Sequence, residues 1–129
     1  MRTTLSFKVD AFGANISVIF TDEGYDKLVS ILKKLYKKHS ESYGDDTDHF
    51  DGACFSPDDD IYQYYVLFGT HYLTHGLIAH EAEHLKNYIF ERFGYTIKSG
   101  SEELPSTLSE LIATKIYGFV QKKSIKVRE

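Results

Sequence analysis

The sequence has a single cysteine, Cys54, and only two prolines in 129 residues. One thiol cannot close an internal disulfide, so folding does not depend on an oxidising compartment. Few prolines, together with 42% hydrophobic and 15% aromatic residues, exclude a disordered or collagen-like chain and supply one modest core. Basic charge is also scarce: 15 Lys and Arg stand against 19 Asp and Glu, a net charge of −4. The lysines come only in short clusters, whereas a phosphate backbone asks for a basic patch, so nucleic acid is not an expected partner. No apolar run approaches the roughly 20 residues that span a bilayer, and the N-terminal MRTTLSFKVDAFG holds no unbroken apolar stretch of the leader type. The expectation is a single domain over residues 1–129, cytoplasmic and off the membrane.

What is present is patterned. Leu5, Phe7 and Val9 alternate with Ser6, Lys8 and Asp10, and Ile16, Val18 and Phe20 repeat the two-residue period, so a hairpin turning at Phe12–Asn15 is expected. Thr21 or Asp22 then caps a helix whose apolar stripe is Tyr25, Leu28, Val29, Leu32, Leu35 and Tyr36. Its late lysines, Lys33, Lys34, Lys37 and Lys38, suit the negative end of the helix dipole and read as a solvated helix end. Residues 39–51 read as a polar, acidic loop. Within it, Asp46 to Gly52 has a superficial likeness to a calcium loop but fails on spacing, and Pro57 stands where the bidentate glutamate belongs. Ala53–Phe55 and Ile61–Phe68 read as strands, Leu73–Phe93 as a helix ended by Gly94, and Pro105 or Ser106 to Lys122 as the last helix. The order β-β-α-β-β-α-α is that of an α+β domain, a small, mostly antiparallel sheet packed by helices.

One stretch carries chemistry: Ala79-His80-Glu81-Ala82-Glu83-His84-Leu85. Four-residue spacing on a helix puts His80 and His84 on one face, a turn apart, within reach of a single Zn²⁺. Glu81 sits about 100° round from His80, beside such an ion, where a general base takes a proton from a water. Helical phase agrees, because Ile78, Ala82, Leu85, Ile89 and Phe93 make a separate packing stripe that needs no histidine.

A catalytic zinc site needs a third protein ligand. Glu91 shares the face of His84 but is two turns away, about 10 Å by helix rise. Glu102 and Glu103 fall in the loop before the last helix. Glu110 is the best choice, since apolar neighbours surround it on the last helix and Ala113 allows close helix approach. His71 and His75 read as polar residues at a helix entrance, with a second site or shell as the alternative. Tyr117, on the face of Glu110, reads as packing or as an oxyanion donor. Cys54 reads as a small strand residue or an unpartnered nucleophile.

His80-Glu81-x-x-His84, a helix ending at Arg92-Phe93-Gly94-Tyr95, and Glu110-x-x-Ala113 in a second helix together resemble the small zincin-like, gluzincin-type metallopeptidases of phages and mobile elements. The β-β-α-β-β layout before them is similar too, and the sharp part of the likeness spans about residues 77–118. That family often has an acidic residue before the ligand glutamate and an aromatic after the alanine, where this chain has Ser109 and Thr114. The resemblance implies a minimal zincin-like domain with His80, His84 and Glu110 as zinc ligands and Glu81 as general base. The expected function is zinc-dependent hydrolysis of a peptide or protein substrate lying along the strand Gly52–Ser56. Two alternatives are a zincin fold that binds zinc without catalysis and contacts a partner protein, and a metal-free interaction protein with a coincidental motif.

Overall fold

Two stretches with a period of two fold back on each other at the start of the chain. They form β1 (Arg2–Val9) and β2 (Ala14–Thr21), paired antiparallel with Leu5 opposite Val18 and Phe7 opposite Ile16. The computed structural model describes residues 2–43, 51–94 and 103–129. The turn is Asp10–Gly13, two residues earlier than the sequence suggests, and Ala14 and Asn15 already belong to β2. The remaining elements are α1 (Tyr25–Lys38), β3 (Gly52–Phe55), β4 (Gln63–Gly69), a single 3₁₀ turn (Thr70–Tyr72), α2 (His75–Arg92) and α3 (Glu103–Lys122). This is the expected α+β order. The former calcium-loop stretch lies largely in residues 44–50, outside the described residues.

The sheet order is β1-β2-β4-β3. β4 runs parallel to β2, and β3 pairs antiparallel with β4 at the opposite edge from β1. Two of the three pairings are therefore antiparallel, while the parallel one requires a crossover, and α1 lies within it. The central pair is covered on both faces, which is why Tyr64–Phe68 is buried without a break rather than alternating.

Register decides which side each residue serves. Ile16, Val18 and Phe20 lie opposite Tyr64, Val66 and Phe68, and this face packs against Ile78, Leu85 and Ile89 of α2 and Ile112 and Ile116 of α3. Ile19, Tyr65, Leu67 and Phe55 face the other way, onto Leu28, Ile31 and Leu32 of α1. β1 has only one covered face, so it keeps the alternating burial its sequence shows.

The helix ends differ in detail from the sequence reading. Neither Thr21 nor Asp22 caps α1: its N-cap is Gly24, and Thr21 Oγ1 instead accepts from the Glu23 N–H at 3.2 Å. α2 begins at His75 rather than Leu73 because Thr74 is its N-cap, Oγ1 accepting from the Leu77 N–H at 3.0 Å. The residues before it are held by the C-terminal tail, where Arg128 N–H donates to Leu73 O at 2.8 Å and Arg128 O accepts from His75 N–H at 3.0 Å. Gly94, with φ +67, terminates α2 as expected.

α2 also rides against β3, and Gly52 permits the approach. A Cβ there would lie 3.1 Å from Leu77 Cδ1, 3.3 Å from the Leu67 carbonyl oxygen and 3.4 Å from Glu81 Cγ. Gly52→Val is therefore expected to destabilise the fold by about 1–3 kcal/mol through overpacking, seen as a Tm several degrees lower. A Tm equal to that of the wild type in thermal unfolding would show that helix and strand are not in this close contact.

Candidate functional site

The orientation of α2 follows from its apolar stripe. Ile78, Ala82, Leu85 and Ile89 are buried, joined by Phe90, while Phe93 is only partly covered. His80 and His84 fall outside that stripe and are exposed. Their rings meet edge to face, with centroids 4.4 Å apart and planes at 89°. The two Nε2 atoms are 3.0 Å apart, one ring N–H donating to the other nitrogen. Two Zn–N bonds of about 2.0–2.1 Å at a tetrahedral angle hold their nitrogens about 3.3 Å apart, so this pair already has the span of two ligands on one ion. Tyr88, one turn further, stacks on His84 with centroids 6.3 Å apart and planes at 20°.

Glu81 points elsewhere. One step round the helix from His80, it turns toward β3, where its Cγ packs at Gly52, and it is only 4% exposed. Among the described residues its Oε2 has no hydrogen-bond partner. Burial pushes its carboxyl above the ordinary range, with the neighbouring His80 pulling the other way. Cys54 lies on the same face of β3, two residues from Gly52. Burial, and secondly the Glu81 carboxylate, push its thiol well above the ordinary range, so it stays protonated and unreactive rather than serving as a nucleophile.

The structure brings His80, His84 and Glu81 to one place, but it does not bring Glu110 to them. Glu110 lines a separate cleft of about 560 Å³ between α2 and α3, with Ala79, Ala82, Glu83, Lys86 and Ala113. Ala79, Ala82 and Ala113 line this cleft with small side chains, and Lys86 is paired with Glu83 across one turn of α2. Among the described residues, no group of three or more His, Cys, Asp or Glu side chains is placed to hold a metal. Glu102 lies outside the described residues, and Glu91 sits in a third cleft at the far end of α2.

The other described histidines, His39, His71 and His75, are engaged elsewhere in the fold. His75 Nδ1 and the Tyr117 hydroxyl are 2.7 Å apart with their rings stacked, which ties the start of α2 to α3 and engages the hydroxyl that was a candidate oxyanion donor. His71 Nε2 lies 2.6 Å from Asp22 O. His39, which the sequence presents as a loop residue, is buried and bridges Asp59 Oδ1 at 2.7 Å and the Tyr65 hydroxyl at 3.0 Å. No local signal marks His39, because its partners are far away in sequence. Tyr88, by contrast, is legible as the next residue in the four-residue ladder from His80 and His84.

No known protein family, no curated protein and no solved structure matches the chain.

A carboxyl whose folded pKa lies above its unfolded one binds its proton more tightly when folded. The stability it contributes is complete below the unfolded pKa and is lost as the pH rises through the folded one. In EDTA-treated protein, Glu81→Gln, which cannot ionise, is expected to raise the Tm at pH 7 by a few degrees, with the gain gone by about pH 4. A variant less stable than the wild type at pH 7 would mean that the carboxylate has a stabilising partner.

Proposed function

We propose that the protein is a zinc-dependent metallopeptidase. The observation that carries this reading is the convergence of the exposed His80 and His84 nitrogens, 3.0 Å apart, beside the buried carboxylate of Glu81, whose Oε2 is unpartnered among the described residues. An unpartnered buried carboxylate costs stability, and its retention next to a histidine pair is what proton transfer at that spot would require. Paired imidazoles suit zinc, and the resemblance to gluzincin-type metallopeptidases of phages and mobile elements points the same way. His80 and His84 would hold the ion, while Glu110 lines the α2–α3 cleft rather than this site. Zinc bound at the histidines supplies Lewis-acid chemistry, polarising a carbonyl and acidifying a water.

The work of the chain's own residues follows from their places. β3 is an edge strand, so its outer backbone groups can pair with an extended peptide and hold it alongside α2. Glu81, reaching toward Gly52 of that strand, accepts the proton of the attacking water and delivers it to the leaving amine. A pKa raised by burial suits the first step, since it makes the carboxylate a stronger base toward the attacking water. No helix among the described residues is long and apolar enough to cross a membrane, and with a single cysteine the reading places the activity in the cytoplasm.

The test is hydrolysis of a broad peptide library, followed by mass spectrometry, with and without added zinc. Zinc-dependent cleavage that falls at least about 100-fold in Glu81→Gln is expected. Activity unchanged in that variant would remove Glu81 from the reaction and this mechanism with it. Glu110→Ala is expected to leave zinc affinity within about twofold by calorimetry, since Glu110 lies apart from the histidines, and a loss of about tenfold would make it a ligand.

A further inference from the structure

The end of β3 opens into a cleft of about 280 Å³ that the proposed chemistry leaves unused. It lies between Tyr36 of α1 and Tyr88 of α2, with the segment Ser56–Asp58 as its rim. That rim is fixed from α2. Arg92 donates to the carbonyl oxygens of Pro57 and Ser56 at 2.7 and 2.8 Å and to Asp58 Oδ1 at 3.2 Å, so both its terminal nitrogens grip the rim. Tyr36 is fixed as well, stacked on Phe55 with ring centroids 4.1 Å apart. The cleft is therefore a built feature and not a gap between mobile side chains.

Its chemistry is one-sided. Beyond the Arg92–Asp58 pair, two carboxylates line it: Glu41, which accepts from the Asp58 N–H at 2.9 Å, and the exposed Glu91. Among the described residues, the Oγ of Ser56, which also lines the cleft, is buried with no hydrogen-bond partner. Burial and then Glu41 push the Tyr36 phenol upward, and burial does the same for Tyr88, so both rings stay neutral and offer aromatic faces. Carboxylates between aromatic faces, with an unused hydroxyl below, are the surroundings a cationic side chain seeks.

Position links the cleft to the motif. Tyr88, one of its walls, stacks on His84 at 6.3 Å. An extended chain advances about 3.3 Å per residue, so a peptide paired along β3 would bring a side chain to the cleft two to four residues from a bond placed at His80 and His84. We propose that this cleft is a side-chain subsite that receives a lysine or arginine of an extended peptide, its cation set between Glu41 and Glu91 and its stem between Tyr36 and Tyr88. The placement of the peptide rests on the peptidase reading, whereas the charge preference rests on the cleft alone.

The test separates the two. Blocked hexapeptides with one lysine walked through an alanine frame, and their norleucine counterparts, are titrated by calorimetry into zinc-supplemented Glu81→Gln protein, which does not consume them. At the favoured position lysine is expected to bind at least about tenfold tighter than norleucine, as one or two charge-assisted contacts imply. That ratio is expected to fall toward one when Glu41→Gln and Glu91→Gln are combined, and to favour a glutamate peptide over the lysine one in Glu91→Lys. Both positions are at the surface of the rim, and circular dichroism checks that the variants fold. Equal affinity for lysine and norleucine at every position, or no binding of either, overturns the subsite. Lysine preference in a protein that cleaves nothing upholds the subsite and removes the peptidase, while cleavage without charge preference does the reverse.

Discussion

A helix can lie along an edge strand only as closely as the side chains between them allow. Here the approach is made at Gly52, where a Cβ would meet Leu77 Cδ1 at 3.1 Å and Glu81 Cγ at 3.4 Å. Much else depends on this approach. It turns Glu81 inward and strips it of water, and it leaves His80 and His84 one step round the helix in solvent. The same helix runs from Glu81 beside Gly52 to Arg92, which grips the rim beyond β3. The apolar stripe on the sheet side holds α2 in that pose, so the packing core and the candidate site are two faces of one helix.

The electrostatic consequence is a carboxylate that the described residues leave without a hydrogen-bond partner at Oε2. An exposed glutamate at the same position would titrate normally and contribute little. Buried beside a thiol and a phenol, both pushed toward their neutral forms, Glu81 has, among the described residues, the His80 imidazole to favour its charge. A cation held by the adjacent histidines would offset the desolvation that the fold imposes, and on the proposed reading this is how the site and the ion depend on each other.

Much of this was legible in the chain. The order of elements followed from alternation in β1, the three- and four-residue spacing in α1 and α2, and the stop at Gly94. The motif's phase against Ile78, Ala82, Leu85 and Ile89 correctly set the histidines off the core. What escaped was tertiary. Register alone decides that Gly52 and Cys54 face α2 while Ala53 and Phe55 face α1, and a four-residue strand is too short to announce it. The crossover that makes β4 parallel to β2 is invisible to local pattern, as is the pairing of the C-terminal tail with the entrance to α2. His39 looked like loop because its partners, Asp59 and Tyr65, lie far along the chain. Its apolar sequence neighbours single out Glu110, yet it lies in the α2–α3 cleft with Glu83 and Lys86 rather than beside the histidines.

The central claim is that His80 and His84 together hold a metal ion beside Glu81. Elemental analysis of the purified protein, supplied with zinc and freed of excess, tests it most directly when His80→Ala is measured alongside. The account predicts near-stoichiometric zinc in the wild type and its loss in the variant. Zinc in neither protein, or equal zinc in both, would contradict it.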